Sequence, residues 1–264
     1  MSADESSQPT VLITGGGTGI GAATARRLAG DGFHVVIAGR RRERLDEAAT
    51  AINVDLPGAA SAIVMDVTSE DSVREAVAGL GRCDVLVNNA GGALGVSRVE
   101  DGDLSEWQQM YDTNVLGTVR VTQAVLPLLR RSPRATIVNI SSVAGESVYE
   151  GGGGYTSAKH GTSVISETLR LELNGEHVRV VDLRPGLVQT EEFSLTRLHG
   201  DQAAADKVYE GVDRPLLASD VAECVGFVVG LPQHVNIDTL VVKPVAQAAV
   251  HKLYRAPIDW KTDD

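Results

Sequence analysis

Residues 10–21 read TVLITGGGTGIG, and this stretch decides the fold. Val11, Leu12 and Ile13 form an apolar run between two threonines, the pattern of a short strand buried on both faces. Residues 20–29 then read as a helix. The glycines fall in the turn between the two, where a helix starts at the end of a strand and its unpaired N–H groups can receive an anion. Gly15 permits the tight turn, Gly19 lets a phosphate approach the backbone, and Gly21 lets the helix lie close on the strand. With Gly17, Thr18 and Ile20 they make a cradle for the pyrophosphate of a dinucleotide. The spacing is G-x-x-x-G-x-G rather than G-x-G-x-x-G, so the reading rests on the strand–turn–helix context. No G-x-x-x-x-G-K-[ST] sequence occurs, which removes the P-loop alternative.

The alternation continues outward from that turn. Further strands are expected at 33–38, 62–65, 84–87, 136–140, 178–183 and 239–242, with helices at 41–52, 69–78, 104–131 and 155–173. Apolar strands separated by helices predict an α/β fold: a single doubly wound, Rossmann-type domain over residues 10–250, its parallel sheet of about seven strands covered on both faces. Residues 1–9 are polar and serine-rich and are expected to be a disordered tail; residues 251–264 are expected to be a C-terminal tail. Residues 191–215 break the alternation, as an insertion covering the substrate side of the sheet would.

Composition narrows the function. The 264 residues are 43% hydrophobic, with 24 Lys+Arg against 35 Asp+Glu and a net charge of −11. An acidic chain whose one basic cluster lies at 40–44 is a poor partner for nucleic acid. No apolar run reaches the ~18 residues that span a bilayer, and MSADESSQPT has neither the basic nor the apolar region of a signal peptide. Two cysteines, Cys83 and Cys224, cannot build a disulfide framework, so a cytoplasmic location is expected. The histidines show no ligand spacing, and no metal site is expected.

The ends of the strands carry the chemistry. An acidic residue after the second strand would hold the ribose 2′-OH of NAD(H), but this chain has Gly39-Arg40-Arg41-Arg42. Arginine forks suit a 2′-phosphate, so Arg40 and Arg41 favour NADP(H) over the alternative that they are simply the solvated start of a helix. Asp66-Val67 ends the third strand, where the carboxylate either reaches an adenine amino group or makes a turn. Asn88-Asn89-Ala90-Gly91 ends the fourth at the same edge. Tyr155 and Lys159 stand one helical turn apart and project from one face. A cation there favours the phenolate and lowers a tyrosine pKa that is ~10 in water, as a general acid–base requires. Ser142 ends the fifth strand and offers a hydroxyl to a substrate oxygen, or caps a turn. Asn114 is a mediocre helix former: either it is an exposed residue, or the helix opens there to hold a water near Lys159.

In order and spacing, TGGGTGIG at 14–21, DV at 66–67, NNAG at 88–91, Asn114, Ser142, YTSAK at 155–159 and PG at 185–186 resemble a short-chain dehydrogenase/reductase over residues 10–245. The resemblance implies that Tyr155 is the acid–base and that Lys159 binds the nicotinamide ribose. It implies that Ser142 orients the substrate carbonyl and that Asn114 supports a proton relay through water. It also assigns Asn88, Ala90 and Gly91 to the nucleotide, and Pro185, Gly186, Val188 and Thr190 to the nicotinamide end. Homotetramers are the family expectation.

The C-terminal third, from Arg184-Pro-Gly through Glu192-Phe-Ser-Leu-Thr-Arg197 to Lys243-Pro-Val-Ala-Gln247, is similar to the NADP-dependent serine/3-hydroxy acid dehydrogenase branch. That implies a small alcohol or carbonyl substrate bearing a carboxylate. Arg197 is the candidate cation for it, or a surface arginine, and Tyr149 is a candidate for the pocket wall. The run Gly151–Gly154 just before Tyr155 predicts a roomier, more mobile pocket mouth, which leaves open bulkier ketones or aldehydes. A 3-oxoacyl-thioester reductase would want a basic docking patch that 190–215 lacks. A non-catalytic dinucleotide sensor would not need Tyr155, Lys159, Ser142 and Asn114 together.

Overall fold

The structure, a computed structural model, describes residues 8–261. The expected tail at 1–9 falls largely outside these residues. Seven parallel strands form the sheet: β1 (Thr10–Thr14), β2 (His34–Gly39), β3 (Ala60–Val64), β4 (Val85–Asn88), β5 (Thr136–Ile140), β6 (Arg179–Pro185) and, after the short pair β7 (Val188–Gln189) and β8 (Leu216–Leu217), β9 (Thr239–Val242). Their order is β3-β2-β1-β4-β5-β6-β9, so the chain reverses direction across the sheet between β1 and β4. A crevice opens at the carboxyl ends of the strands at such a switch point.

The pleat explains why the strands are apolar throughout. Val11 and Ile13 of β1 face one side with α1 (Gly19–Gly30), α2 (Arg42–Asp55) and α9 (Ala218–Gly230). Leu12 faces the other, with α3 (Glu70–Ala78), α5 (Gly117–Leu129) and the C-terminal end of α6 (Gly153–Glu172). All three are fully buried. Among the described residues no helix is long and apolar enough to cross a membrane.

The helix expected over 104–131 is interrupted. α4 (Leu104–Tyr111) passes into a π-helical turn at Asp112–Leu116 before α5 begins. Asn114 sits inside this widened turn, buried rather than exposed. Such turns place an extra residue in the helical path and mark functional positions.

The insertion holds α7 (Phe193–Arg197) and α8 (Gln202–Tyr209), bracketed by the paired β7 and β8. Residues 251–261 depart from a tail. β10 (Gln247–Ala249) and β11 (Lys252–Leu253) pair antiparallel, and the chain then returns along the insertion. The Asp213 carboxylate accepts from the Ile258 N–H at 2.9 Å and the Trp260 indole N–H at 2.7 Å, and Arg214 lies over the Trp260 ring at 4.6 Å. This short segment, rich in polar residues, is fastened by a few directed contacts, which periodicity does not reveal.

Beneath the carboxyl edge runs a buried polar ladder. The Asn88 amide donates to Thr122 of α5 at 3.1 Å and to Asn139 of β5 at 2.9 Å, and the Asn139 amide donates to Ser166 of α6 at 2.9 Å. Asn139→Ala removes one of the two acceptors of the Asn88 amide, leaves one of its N–H groups unpaired, and is expected to cost about 2 kcal/mol of stability, the penalty of an unpaired buried donor. Urea denaturation checks this, and a loss below ~0.5 kcal/mol is the outcome that contradicts it.

Candidate active site

The crevice is a cavity of about 720 Å³. Gly15, Gly17, Thr18, Gly19, Ile20, Arg40, Arg41, Asp66, Val67, Ala90, Gly91, Pro185, Gly186, Val188 and Thr190 line it, and so do Ser142, Tyr149, Tyr155, Lys159 and Arg197. Asn88 and Asn114 do not.

Asn88 follows Leu86 on its face of β4 and points down toward α5, which is why its side chain joins the ladder and not the cavity. Its neighbour Asn89, passed over in the sequence, takes the position at the edge. The Asn89 amide donates to the carbonyl oxygens of Thr14 at 2.9 Å and Gly15 at 3.1 Å, tying β4 to the glycine turn. The period of two along the strand was the signal that separates the pair.

The glycine turn is built by close backbone approach. Gly15 and Gly19 have φ of +64° and +52°. A Cβ on Gly21 would lie 2.2 Å from the Gly15 carbonyl oxygen, so no other residue fits there. The α1 N-terminus thereby faces the cavity with no acidic residue in its own first turn. Beside it, Arg40 is exposed and makes no ion pair or hydrogen bond among the described residues. Arg41 instead grips the Glu192 carboxylate at 2.9 and 2.6 Å. Asp66 makes the turn: its carboxylate accepts from the Thr68 N–H at 3.0 Å and hydroxyl at 2.7 Å. Burial pushes that carboxyl up, but the Thr68 bonds, with Arg40 and Arg120, outweigh it and hold the group below its ordinary range. A glycine cradle at a helix N-terminus, an uncommitted arginine and a turn aspartate fit a phosphate-bearing dinucleotide.

Tyr155 and Lys159 project from the first turns of α6 into one buried corner. The Lys159 ammonium donates to the Ile140 carbonyl at 2.9 Å and lies 5.9 Å from the Tyr155 ring centre. Burial pushes Lys159 down to about 8, opposed by the Asp182 carboxylate. The expected lowering of Tyr155 is not found. Burial pushes it up to about 12, outweighing the hydrogen bond with Ser142 and the charge of Arg197. Desolvation penalises the phenolate in the same corner that brings the cations near it. Ser142 follows β5, accepts from the Ala144 N–H at 3.1 Å and donates to the Pro185 carbonyl at 3.4 Å.

Asn114 braces the corner from outside. Its amide donates to the carbonyls of Gly92 at 3.0 Å and Met110 at 2.7 Å, and its side-chain oxygen accepts from the Gly92 N–H at 3.2 Å. Its main-chain carbonyl accepts from the Thr118 hydroxyl at 2.8 Å and the Thr162 hydroxyl at 3.1 Å. Sequence reading also missed Asp182, fully buried on β6. It accepts from the Ser141 hydroxyl and from Arg184 at 2.8 Å, and Arg184 reaches Glu146 at 3.1 Å.

The glycine run does not widen the pocket. A Cβ on Gly152 would lie 2.5 Å from the Tyr149 ring, one on Gly153 2.9 Å from Trp107, and one on Gly154 2.4 Å from Met110. The missing side chains let larger neighbours close in, and Tyr149 becomes a wall. Arg197 stands over both tyrosines, 5.5 Å from the Tyr149 ring centre and 5.6 Å from that of Tyr155. Phe193, also missed, meets Tyr155 edge-on at 5.7 Å.

The model of the short chain dehydrogenase family matches residues 9–198, and the chain belongs to that family. It is similar to an uncharacterized oxidoreductase of Mycobacterium tuberculosis, 49% identical over 247 residues that cover 94% of this chain and 95% of the relative. It is also similar to the serine 3-dehydrogenase of Rhizobium radiobacter, 40% identical over 251 residues, 93% of this chain and 98% of the relative. Among solved structures, the closed form of serine dehydrogenase complexed with NADP+ superposes with a TM-score of 0.85 at 37% identity, covering 96% of this chain and 100% of the other. The protein is thus an oxidoreductase with the Rossmann-like fold of its family.

The depressed Lys159 makes a signed prediction. In an unfolded chain lysine titrates near ~10.4, so between about 8 and that value the unfolded state binds more protons and stability rises with pH. The urea stability of the wild type relative to Lys159→Met is expected to rise from pH 7.5 to 9.5, by at most about 1.4 kcal/mol per pH unit. A difference that stays flat or falls would contradict a depressed lysine.

Proposed function

We propose that the protein transfers hydride between NADP(H) and the hydroxyl- or carbonyl-bearing carbon of a small 3-hydroxy acid of the serine type. One observation carries this reading. Arg197, half-buried at the acid–base corner, donates from Nε to the Gly95 carbonyl at 3.3 Å but makes no ion pair among the described residues, and its guanidinium lies over Tyr155 and Tyr149. A guanidinium fork donates to a carboxylate bidentately, and here it would hold that carboxylate beside the reacting carbon. Tyr149, drawn in against Gly152, walls the cavity and favours a short substrate over a bulky ketone.

Bound NADP(H) supplies the hydride donor or acceptor. The chain's own residues handle the proton and the alignment. In reduction, the Tyr155 hydroxyl, protonated at neutral pH, gives its proton to the substrate oxygen while Ser142 holds that oxygen in line. In oxidation the Tyr155 oxygen takes the hydroxyl proton, a step that the Lys159 and Arg197 cations favour. Lys159, fixed on the Ile140 carbonyl, is the group for the nicotinamide ribose; Gly15, Gly19 and Arg40 are those for the phosphates. Asn114 acts by holding Gly92 and the π-turn, with the relay through water as part of this reading. Exposed Tyr111, Leu116, Val164 and Leu171 on α4 to α6 support assembly into a homotetramer.

Absorbance at the nicotinamide band tests the reading with L-serine, 3-hydroxypropionate and an uncharged alcohol of similar size. Tyr155→Phe is expected to lower kcat by about 10²–10⁴-fold. Arg197→Ala is expected to raise KM for the acids by roughly 10- to 100-fold, the worth of a charged hydrogen bond, and to change KM for the alcohol by less than about twofold. Equal loss on acid and alcohol removes the carboxylate role. No turnover of the acids, with turnover of larger ketones, removes the substrate class.

A further inference from the structure

Two of the groups assigned to the cofactor phosphates are already engaged by an anion of the chain itself. The Glu192 carboxylate takes both N–H arms of Arg41, at 2.9 and 2.6 Å, and the Thr18 hydroxyl donates to the same carboxylate at 3.3 Å. The three residues come from separate places. Glu192 precedes α7 in the insertion, Arg41 follows β2, and Thr18 is the N-cap residue of α1. Thr18 makes no side-chain capping bond within its own helix, so its hydroxyl is committed outward. Arg41 holds the Glu192 carboxyl below its ordinary range, and the group is charged at neutral pH.

This is the geometry a phosphate would meet. A planar fork offers a carboxylate and a phosphate the same paired donors, and a helix N-terminus attracts either. Arg40 differs from its neighbour in making no ion pair among the described residues.

We propose that Glu192 is a specificity-determining residue for the cofactor, an internal anion that competes with the 2′-phosphate for Arg41. On this assignment Arg40 is free to meet the phosphate first, and Arg41 joins only by leaving Glu192. NAD(H), with no 2′-phosphate, does not draw on Arg41, so the competition for Arg41 falls on NADP(H) alone, while the Thr18 contact bears on both cofactors alike. The inference rests on the NADP(H) reading above.

Calorimetric titration of NADP+, NAD+, 2′,5′-ADP and 5′-AMP into wild type, Glu192→Gln, Arg41→Ala and the double variant tests it. Glutamine keeps the shape and removes the charge, and both positions are partly exposed, so folded variants are expected; circular dichroism checks this. Glu192→Gln is expected to tighten NADP+ and 2′,5′-ADP about two- to fivefold, the range an exposed ion pair is worth, with NAD+ and 5′-AMP changed less than about 1.5-fold. Arg41→Ala is expected to weaken NADP+ and 2′,5′-ADP, and in that background Glu192→Gln is expected to have no further effect. An equal change for both cofactors, weaker NADP+ binding in Glu192→Gln, or an Arg41→Ala variant that binds NADP+ like wild type overturns the proposal. Wild type that binds NADP+ no tighter than NAD+ overturns the NADP(H) reading itself. That outcome is read from the wild-type titrations before any variant is compared.

Discussion

Everything in the site depends on how closely helix α1 can start above strand β1. With a Cβ on Gly21 only 2.2 Å from the Gly15 carbonyl oxygen, the approach is possible for glycine alone. It sets the helix N-terminus at the carboxyl edge of the sheet, where the strand order reverses and the crevice opens. Asn89 fixes the same turn from β4 by donating to two of its carbonyls. The glycine cradle is thus a consequence of backbone packing, and the polar ladder through Asn88, Asn139 and Ser166 holds the neighbouring strands and helices that frame it.

The acid–base corner works against a different constraint. Tyr155 and Lys159 are both buried, and water is the solvent that would most easily carry their charges. Burial drives the tyrosine up and the lysine down, toward neutral forms. What opposes it is specific: Ser142 and Arg197 at the tyrosine, Asp182 at the lysine. Asp182 is itself kept in place by Ser141 and Arg184, so charges on β6 reach the reacting corner through strand neighbours. The insertion adds Arg197 and Phe193 from above, and Glu192 ties that same segment to the cofactor side through Arg41. The Glu192–Arg41 pair and the Arg197 guanidinium therefore lie at the two ends of one short helix.

Much of this was legible in the chain. The order of apolar runs and helical stretches predicted the parallel sheet, and the motifs marked the glycine turn, Ser142, Tyr155 and Lys159. Local signals sufficed because strand ends, turns and one helical turn are short-range geometry. The different placing of Asn88, in the ladder, and Asn89, at the cavity, was not legible because both occupy one motif, and only the pleat decides which side chain points to the cavity. The glycine run misled because an absent side chain was read as empty space; in the folded chain Tyr149, Trp107 and Met110 fill it. The closing segment at 251–261 was read as a tail because its anchors, Asp213 with Trp260 and Arg214 over its ring, are distant in sequence.

The sequence by itself determined the family, the fold, the glycine turn and the placing of Tyr155 and Lys159 on one helical face, since each is written in residues that are neighbours along the chain. The tertiary structure alone decided the electrostatics. The raised tyrosine, the depressed lysine, the arginine suspended over two aromatic rings and the carboxylate on Arg41 all arise from groups brought together across the fold. Burial and charge act through space, and their balance exists only once the chain has closed around them.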